Sequence, residues 1–464
     1  MAINFLKVLF SNGIVVIINF VNIFLFPSIL GVEEYSQYQT YLLYVGYINI
    51  LHLGIASGMF INYGGTEYRN TEKSQYRSEI NLILIVLTFF TFMGFILSGY
   101  TKNIMFLYTT FSIYPVCMIA SYKALYQAWG RFTAYSLLNV IPVIGQLLLI
   151  ILLMVLRNYL NSEMMIVSYL VINYLIFIVL IMEFRIFVKG IKSKKIFSKE
   201  NMVTTFNGFL ITVGNYINTL IHSVGKQFVS IFFSTQNFAM YAFAISTQSV
   251  MTIFITAFSQ PLYPELAKGS ISKEKIKIIK EILFIFGALS GCAYFLLKFV
   301  VGNFISKYID SIQIIRLYFL CFPAMSVINA IYLNLYKVTK QIRIYIVTLI
   351  KILIIAAVLN YFALKITNNY ISIALSTTIS YYIWLYYSSK HFDNIKITLK
   401  DTAYLFVFVL GYLLITFNVE NEILGCAVFL MFVIGISLFF YKDTLINFVK
   451  TFKDKFKIIS IMKE

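Results

Sequence analysis

Ile80-Asn81-Leu82-Ile83-Leu84-Ile85-Val86-Leu87-Thr88-Phe89-Phe90-Thr91-Phe92-Met93-Gly94-Phe95-Ile96-Leu97-Ser98-Gly99-Tyr100 carries no charge along its whole length. A helix needs about 20 mostly apolar residues to cross the hydrocarbon core of a bilayer. A backbone in lipid must also satisfy its own polar groups, which leaves helices and closed barrels as the only spanning structures. The stretch reads as a transmembrane helix, and the rest of the chain repeats the pattern. The predicted spans are 6–30, 40–62, 80–100, 104–128, 133–156, 164–187, 205–233, 238–260, 279–305, 313–336, 343–364, 370–389, 402–418 and 423–441. The fold class is therefore all-α, a polytopic membrane protein of about 14 transmembrane helices. A composition of 60% hydrophobic and 12% charged residues over 464 positions agrees.

The gaps between spans fix the orientation, because cytoplasmic loops carry an excess of Lys and Arg. The bases alternate from gap to gap. One set holds Lys7; Arg69, Lys73 and Arg77; Arg131; the tract from Arg185 through Lys189 to Lys199; the tract from Lys268 to Lys280; Lys337, Lys340 and Arg343; Lys390, Lys396 and Lys400; and the tail from Lys442 to Lys463. The other set holds only Lys102, Arg157, Lys307 and Lys365. The first set is placed inside, so both termini are expected in the cytoplasm. The formal net charge of +18 then needs no nucleic-acid partner. The basic tracts instead add a pull toward anionic lipid headgroups.

The first span is too long for a cleaved signal peptide, and no small-residue cleavage site follows it. Cys117, Cys292, Cys321 and Cys426 all fall in apolar spans, where they read as small packing residues without metal spacing or a disulfide pattern. The longest hydrophilic stretches, near 63–79, 189–204, 264–278 and 390–401, are cytoplasmic and only about 12 to 17 residues long. The outside loops are shorter still, too short to hold the site of an enzyme acting on exported sugars.

The chain also repeats itself. Leu30-Gly31-Val32-Glu33-Glu34-Tyr35-Ser36-Gln37-Tyr38 follows the first span, and Phe233-Ser234-Thr235-Gln236-Asn237-Phe238-Ala239-Met240-Tyr241 follows the seventh. This register pairs Tyr35 with Phe238, Tyr38 with Tyr241, Asn12 with Asn215 and Asn19 with His222. Tyr126–Arg131 and Tyr336–Gln341 end the fourth and tenth spans, with Pro115 and Pro323 at comparable depths. Two six-span halves are expected, 1–190 and 201–390, joined by a basic linker at 191–200, with two appended helices and a basic tail at 391–464. An even number of spans per half makes the repeats parallel, and such halves enclose a midplane cavity. Pro115, Pro142, Pro261, Pro264 and Pro323 mark possible bends. Gly54-Ile55-Ala56-Ser57-Gly58 lacks the spacing of a catalytic serine motif and reads as a site of close helix packing.

Polar groups inside spans are the candidate site, since a charge at the bilayer centre costs roughly 3 kcal/mol on insertion scales. Asn215, Asn218, His222, Lys226 and Ser230 are spaced 3, 4, 4 and 4, on one face of the seventh span. Asn12, Asn19 and Asn22 form a similar stripe in the first. These stripes either line a cavity or join helices through hydrogen bonds. His52, Lys123, Lys298, Arg316 and Lys351 complete the in-span bases and imidazoles, with Lys123 and Arg316 near enough to span ends to snorkel. The acids fall in loops or at span ends, with Glu183, Glu265 and Glu281 at cytoplasmic ends and Asp310 outside. A cavity with bases and no acids favours an anionic substrate such as a pyrophosphate. It disfavours a cation-coupled antiporter, which needs a buried carboxylate, and acid–base catalysis. No catalytic residue, metal ligand or cofactor is expected.

Leu30–Tyr38 resembles the LG-x-E-[EQ]-[YF]-G-x-Y segment after the first helix of polysaccharide repeat-unit flippases of the Wzx type. Lys226 with the later Tyr241-Ala242 is similar to their segment around and after the seventh helix, and Pro261-Leu262-Tyr263-Pro264-Glu265-Leu266 to the close of their eighth. The resemblance covers about 1–390. Ser36 stands where the family usually has Gly, and Gly225 where an acid often precedes the base. That family belongs to the multidrug/oligosaccharidyl-lipid/polysaccharide exporter superfamily. The resemblance implies a non-enzymatic flippase of the bacterial inner membrane. It would move undecaprenyl-pyrophosphate-linked oligosaccharides to the outer leaflet by alternating access, for O-antigen, lipopolysaccharide or capsule assembly. The implied partners are the lipid-linked oligosaccharide, membrane lipids, a polysaccharide polymerase and a chain-length regulator. A multidrug antiporter of the same superfamily and a membrane glycan polymerase or acyltransferase are the competing readings.

The topology can be checked with single cysteines at Lys192 and Lys102. An impermeant maleimide added to intact cells should label Lys102→Cys and leave Lys192→Cys unlabelled until the membrane is opened. The reverse pattern would invert the assignment.

Overall fold

The computed structural model describes residues 2–64, 66–156, 160–267, 272–339 and 341–461. Arg157, Lys268, Lys340 and Lys463 lie outside this set, as do the side chains of Lys7, Glu265 and the tail lysines from Lys450 onward. Among the described residues the regular structure is helical, with no strand. In chain order the first helices are α1 (Ala2–Ile29), α2 (Val32–Ile48), α3 (Ile55–Tyr63), α4 (Lys73–Thr101), α5 (Ile104–Ala128), α6 (Phe132–Leu156), α7 (Ser162–Phe187), α8 (Lys199–Phe232) and α9 (Thr235–Ala267). There follow α10 (Lys273–Leu289), α11 (Cys292–Phe304), α12 (Ser311–Phe319), α13 (Phe322–Val327), α14 (Leu333–Val338), α15 (Ile342–Thr367), α16 (Tyr370–Ser389), α17 (Leu399–Asn418) and α18 (Glu422–Ile461).

Each predicted span lies mostly in helix. Among the described residues, nine helical stretches are long and apolar enough to cross a membrane, and two bent pairs bring the number to eleven. The many-helix membrane architecture agrees with the sequence reading, with nine to eleven such spans among the described residues against the fourteen expected. In α8 the asparagine, histidine and lysine stripe interrupts the greasy character. In α16 the Ser376-Thr377-Thr378 run and several tyrosines do the same.

The chain forms two compact units, Met1–Ser223 with Ser230–Ala242, and Val224–Val229 with Phe243–Glu464. In the first, α5 is central, packed on α2, α3, α4, α6 and α7, while α1 lies along α6. In the second, α10 packs on α13 and α18, α15 on α16, and the appended α17 and α18 close against α10 and α11. Of the residues that the sequence register pairs, Tyr35, Tyr38, Phe238 and Tyr241 all fall in the first unit. Tyr35, Tyr38, Phe238 and Tyr241 are all buried. The Arg131 N–H closes on the Tyr126 carbonyl at 2.8 Å, and the Gln341 N–H on that of Tyr336 at 3.0 Å.

The basic segment after α7 is bound to α4. The Lys194 N–H reaches the Ser74 carbonyl at 3.3 Å, and the Ser78 hydroxyl donates to the Lys195 carbonyl at 3.1 Å. Arg77 donates to the Ile191 carbonyl, and Asn201 at the start of α8 donates to Ser78 Oγ at 2.7 Å. These bonds tie α8, as far as Ser223, to the first unit.

Two spans are broken. α2 and α3 meet at 59° across Leu53 and Gly54, both with positive φ (49° and 88°). α12 and the helix beginning at Phe322 meet at 50°, next to Pro323. Pro115 and Pro142 instead sit in helices that continue through them. The glycines of the first break let α3 touch the backbone of α8. A Cβ on Gly58 would collide with the Thr204 carbonyl, and one on Gly208 with the Gly54 carbonyl. The close packing expected of Gly54–Gly58 is therefore observed.

Overpacking of this kind typically costs about 1–3 kcal/mol. Gly58→Ala should lower the melting temperature in detergent. Gly46→Ala, where an added Cβ meets nothing within 4 Å, should leave it unchanged. Equal melting temperatures for both variants would refute the tight α3–α8 contact.

Candidate functional site

α8 is amphipathic along its length. Ile217, Ile221, Val224 and Val229 are buried. On the other side Asn215 and Thr219 are exposed, and Asn218, His222 and Lys226 are half-buried. The Asn218 Oδ1 is buried without a hydrogen-bond partner among the described residues, an uncommon state for a buried amide. Side-chain bonds hold the helix to α2 and α3. Tyr47 bonds Ser223 at 3.0 Å, Ser57 bonds Thr212 at 2.7 Å, and Asn62 donates to Thr204 Oγ1 at 2.8 Å. An ammonium, an imidazole and carboxamides one turn apart suit phosphate oxygens and sugar hydroxyls.

The α1 stripe divides. Asn12 accepts from Asn139 of α6 at 3.4 Å, which makes it a joint between helices. Asn19 is half-buried. Asn22 is buried, and its Oδ1, like that of Asn218, has no partner among the described residues.

The isolated candidates mostly have structural work. His52 ends a single 3₁₀ turn at the α2–α3 break, where its Nδ1 accepts the Gly54 N–H at 3.1 Å. Lys298 on α11 reaches the Glu420 carbonyl, in the α17–α18 connection, at 2.5 Å and Glu422, the first residue of α18, at 3.5 Å. Arg316 donates to the Tyr294 hydroxyl at 3.0 Å and lies 4.1 Å over the Phe417 ring. Lys351 is exposed and donates to the Tyr387 hydroxyl at 2.9 Å. Lys123 is half-buried on α5.

The carboxylates correct the sequence reading. Glu79 and Asp401 sit near the starts of α4 and α17, whereas Glu281, expected at a span end, lies midway along α10, and all three are buried by packing against other helices. Glu79 accepts from Tyr63 at 2.6 Å, from Gln75 at 3.0 Å and from Thr204 at 3.4 Å, so neutral donors on α3, α4 and α8 converge on it. It borders a cavity of about 630 Å³ that also meets Asn62, Lys194 and Lys199. An apolar cavity of about 360 Å³ lies along α8 beside Phe206 and Phe209. Glu281 takes a hydrogen bond from Thr444. Asp401 pairs with Lys280 at 2.6 Å, both 1% exposed. Its carboxylate also takes bonds from Tyr441 at 2.8 Å and the Thr398 N–H at 2.9 Å. Thr398 and Asp401 form a capping box at the start of α17, a T-x-x-D signal present in the sequence. Glu79 carried no comparable signal.

Removing one partner of a buried pair leaves an uncompensated charge, at a cost of about 3–5 kcal/mol. Lys280→Met should markedly lower the unfolding temperature, and Lys280→Met with Asp401→Leu should recover most of it. A double variant no more stable than the single one would show that the pair does not act as a unit.

No family model matches the chain, and no curated protein matches its sequence. Its fold is similar to that of a solved structure titled lipid II flippase MurJ, inward closed conformation. The TM-score is 0.71 at 15% identity, covering 96% of this chain and 100% of that one. At that identity the likeness establishes a common fold, a many-helix membrane architecture.

Proposed function

We propose that the chain is a flippase for lipid-linked precursors, a transporter and not an enzyme. Its substrates are undecaprenyl-pyrophosphate-linked oligosaccharide repeat units, carried from the cytoplasmic to the outer leaflet by alternating access for surface polysaccharide assembly. It works in the bacterial inner membrane with both termini cytoplasmic, alongside a polysaccharide polymerase and a chain-length regulator. The observation that carries this reading is the α8 stripe, a half-buried lysine and histidine in line with an amide whose oxygen is unsatisfied. A fold similar to that of a lipid II flippase supports it. In this reading Lys226 meets the pyrophosphate, and His222, Asn215 and Asn218 bind phosphate or sugar hydroxyls. Asn22 contributes from α1. Lys298, Arg316 and Lys351 serve stability.

A specific observation favours one competing reading. Glu79 is a buried carboxylate, and no ion pair among the described residues includes it. A cation-coupled exporter would use such a group.

Two variants separate the cases. Lys226→Ala should abolish surface glycan at normal protein abundance, whereas Lys351→Ala should leave glycan intact. Undiminished glycan in Lys226→Ala removes that residue from the mechanism. If Glu79→Gln instead raises sensitivity to cationic drugs while surface glycan persists, the exporter reading prevails.

A further inference from the structure

Where α4 begins and α7 ends, the chain encloses a cavity of about 380 Å³ that the transport reading does not use. Arg77 and Asn81 enter it from α4, and Arg185 and Lys189 from the end of α7, over a floor that includes Leu84 and Ile181. Gly190, with φ of 75°, turns the chain sharply after α7. The following residues return across α4, where Arg77 holds the Ile191 carbonyl. Tyr76 packs edge-on against Phe184 and Phe187, fixing the two helix ends together.

The charge in this cavity is one-sided. No carboxylate lines it. The nearby acids are engaged elsewhere: Glu183 pairs with Arg131 at 2.6 Å, and Lys194 takes both Glu72 at 2.9 Å and Glu200 at 3.1 Å. None of the ion pairs among the described residues includes Arg77, Arg185 or Lys189. Positive-inside topology accounts for bases at this level, but not for their convergence on one acid-free cavity.

Apolar surface flanks it. On α7, Val179 is 61%, Met182 58% and Ile186 75% exposed, and on α4 Phe89 is 59% exposed. Met182 and Ile186 stand one turn apart beside Arg185, so a greasy strip leads up to the cations. This combination fits an amphiphile whose anionic head is held by arginine forks while its chains lie on the strip. Basic pockets between helices on the cytoplasmic side suit such headgroups. The strip lies against bilayer chains, which brings lipid headgroups to the mouth of the cavity. From this geometry we infer that the cavity binds the phosphate of an anionic membrane lipid, independently of the transported substrate.

The purified full-length protein in nanodiscs tests the assignment. Nanodiscs of phosphatidylcholine alone are compared with nanodiscs containing phosphatidylglycerol, and retained lipid is counted by native mass spectrometry. Arg185→Gln with Lys189→Gln should weaken phosphatidylglycerol retention about tenfold. Lys192→Gln with Lys195→Gln removes the same charge from neighbouring exposed positions outside the cavity and should retain the lipid as the parent does. Equal loss in both double variants would reduce the effect to general surface charge and overturn the site. So would equal retention of phosphatidylcholine, and so would displacement of the lipid by millimolar inorganic phosphate, which would mark a soluble-anion site.

Discussion

Hydrocarbon offers no hydrogen-bond partner, so wherever this chain departs from regular helix it must supply the missing partners itself. The α2–α3 break illustrates the constraint. The Leu53 N–H turns back to the Ile50 carbonyl at 2.9 Å, the Gly54 N–H is taken by His52 Nδ1, and the Gly58 N–H reaches the Gly54 carbonyl at 2.8 Å. Along intact helices the small hydroxyls obey the same rule. Thr109, Thr110 and Ser112 of α5 each donate to the carbonyl four residues earlier. Against that background an unsatisfied amide oxygen on Asn22 or Asn218 stands out, and so does an acid-free cluster of cations.

The same constraint explains why the break lies where it does. Glycine tolerates the left-handed backbone at position 54 and, having no Cβ, lets α3 lie on the α8 backbone. Side-chain bonds around Thr204, Asn201 and Glu79 then fasten α8 to α3 and α4. A helix fastened at one end by neutral hydrogen bonds and carrying a base further along has its polar face already oriented. Preorganised donors lower the cost of binding an anion.

Much of the architecture was legible from local chemistry. Span positions, the small-residue contact at Gly54–Gly58 and the α8 stripe follow from hydropathy and the 3.6-residue period, which act over one or two turns. The isolated bases were harder to assign. Lys298 and Arg316 look like buried charges in the sequence because their partners, Glu422, Tyr294 and Phe417, come from distant segments. The carboxylates failed for the complementary reason. A helix-terminal Glu79 or Asp401 is expected in water, and only packing of that terminus under other helices removes it from solvent.

The amino-acid sequence by itself determined the class of molecule, the alternation of charge between gaps and the set of polar residues on each helical face, because each depends on near neighbours in the chain. Tertiary structure alone decided which of those residues join helices. It tied the basic segment 191–198 to α4, buried Glu79 among neutral donors and drew Arg77, Arg185 and Lys189 around one cavity. Those outcomes depend on which helix ends meet in space, and residues more than a hundred positions apart leave no periodic signal of their meeting.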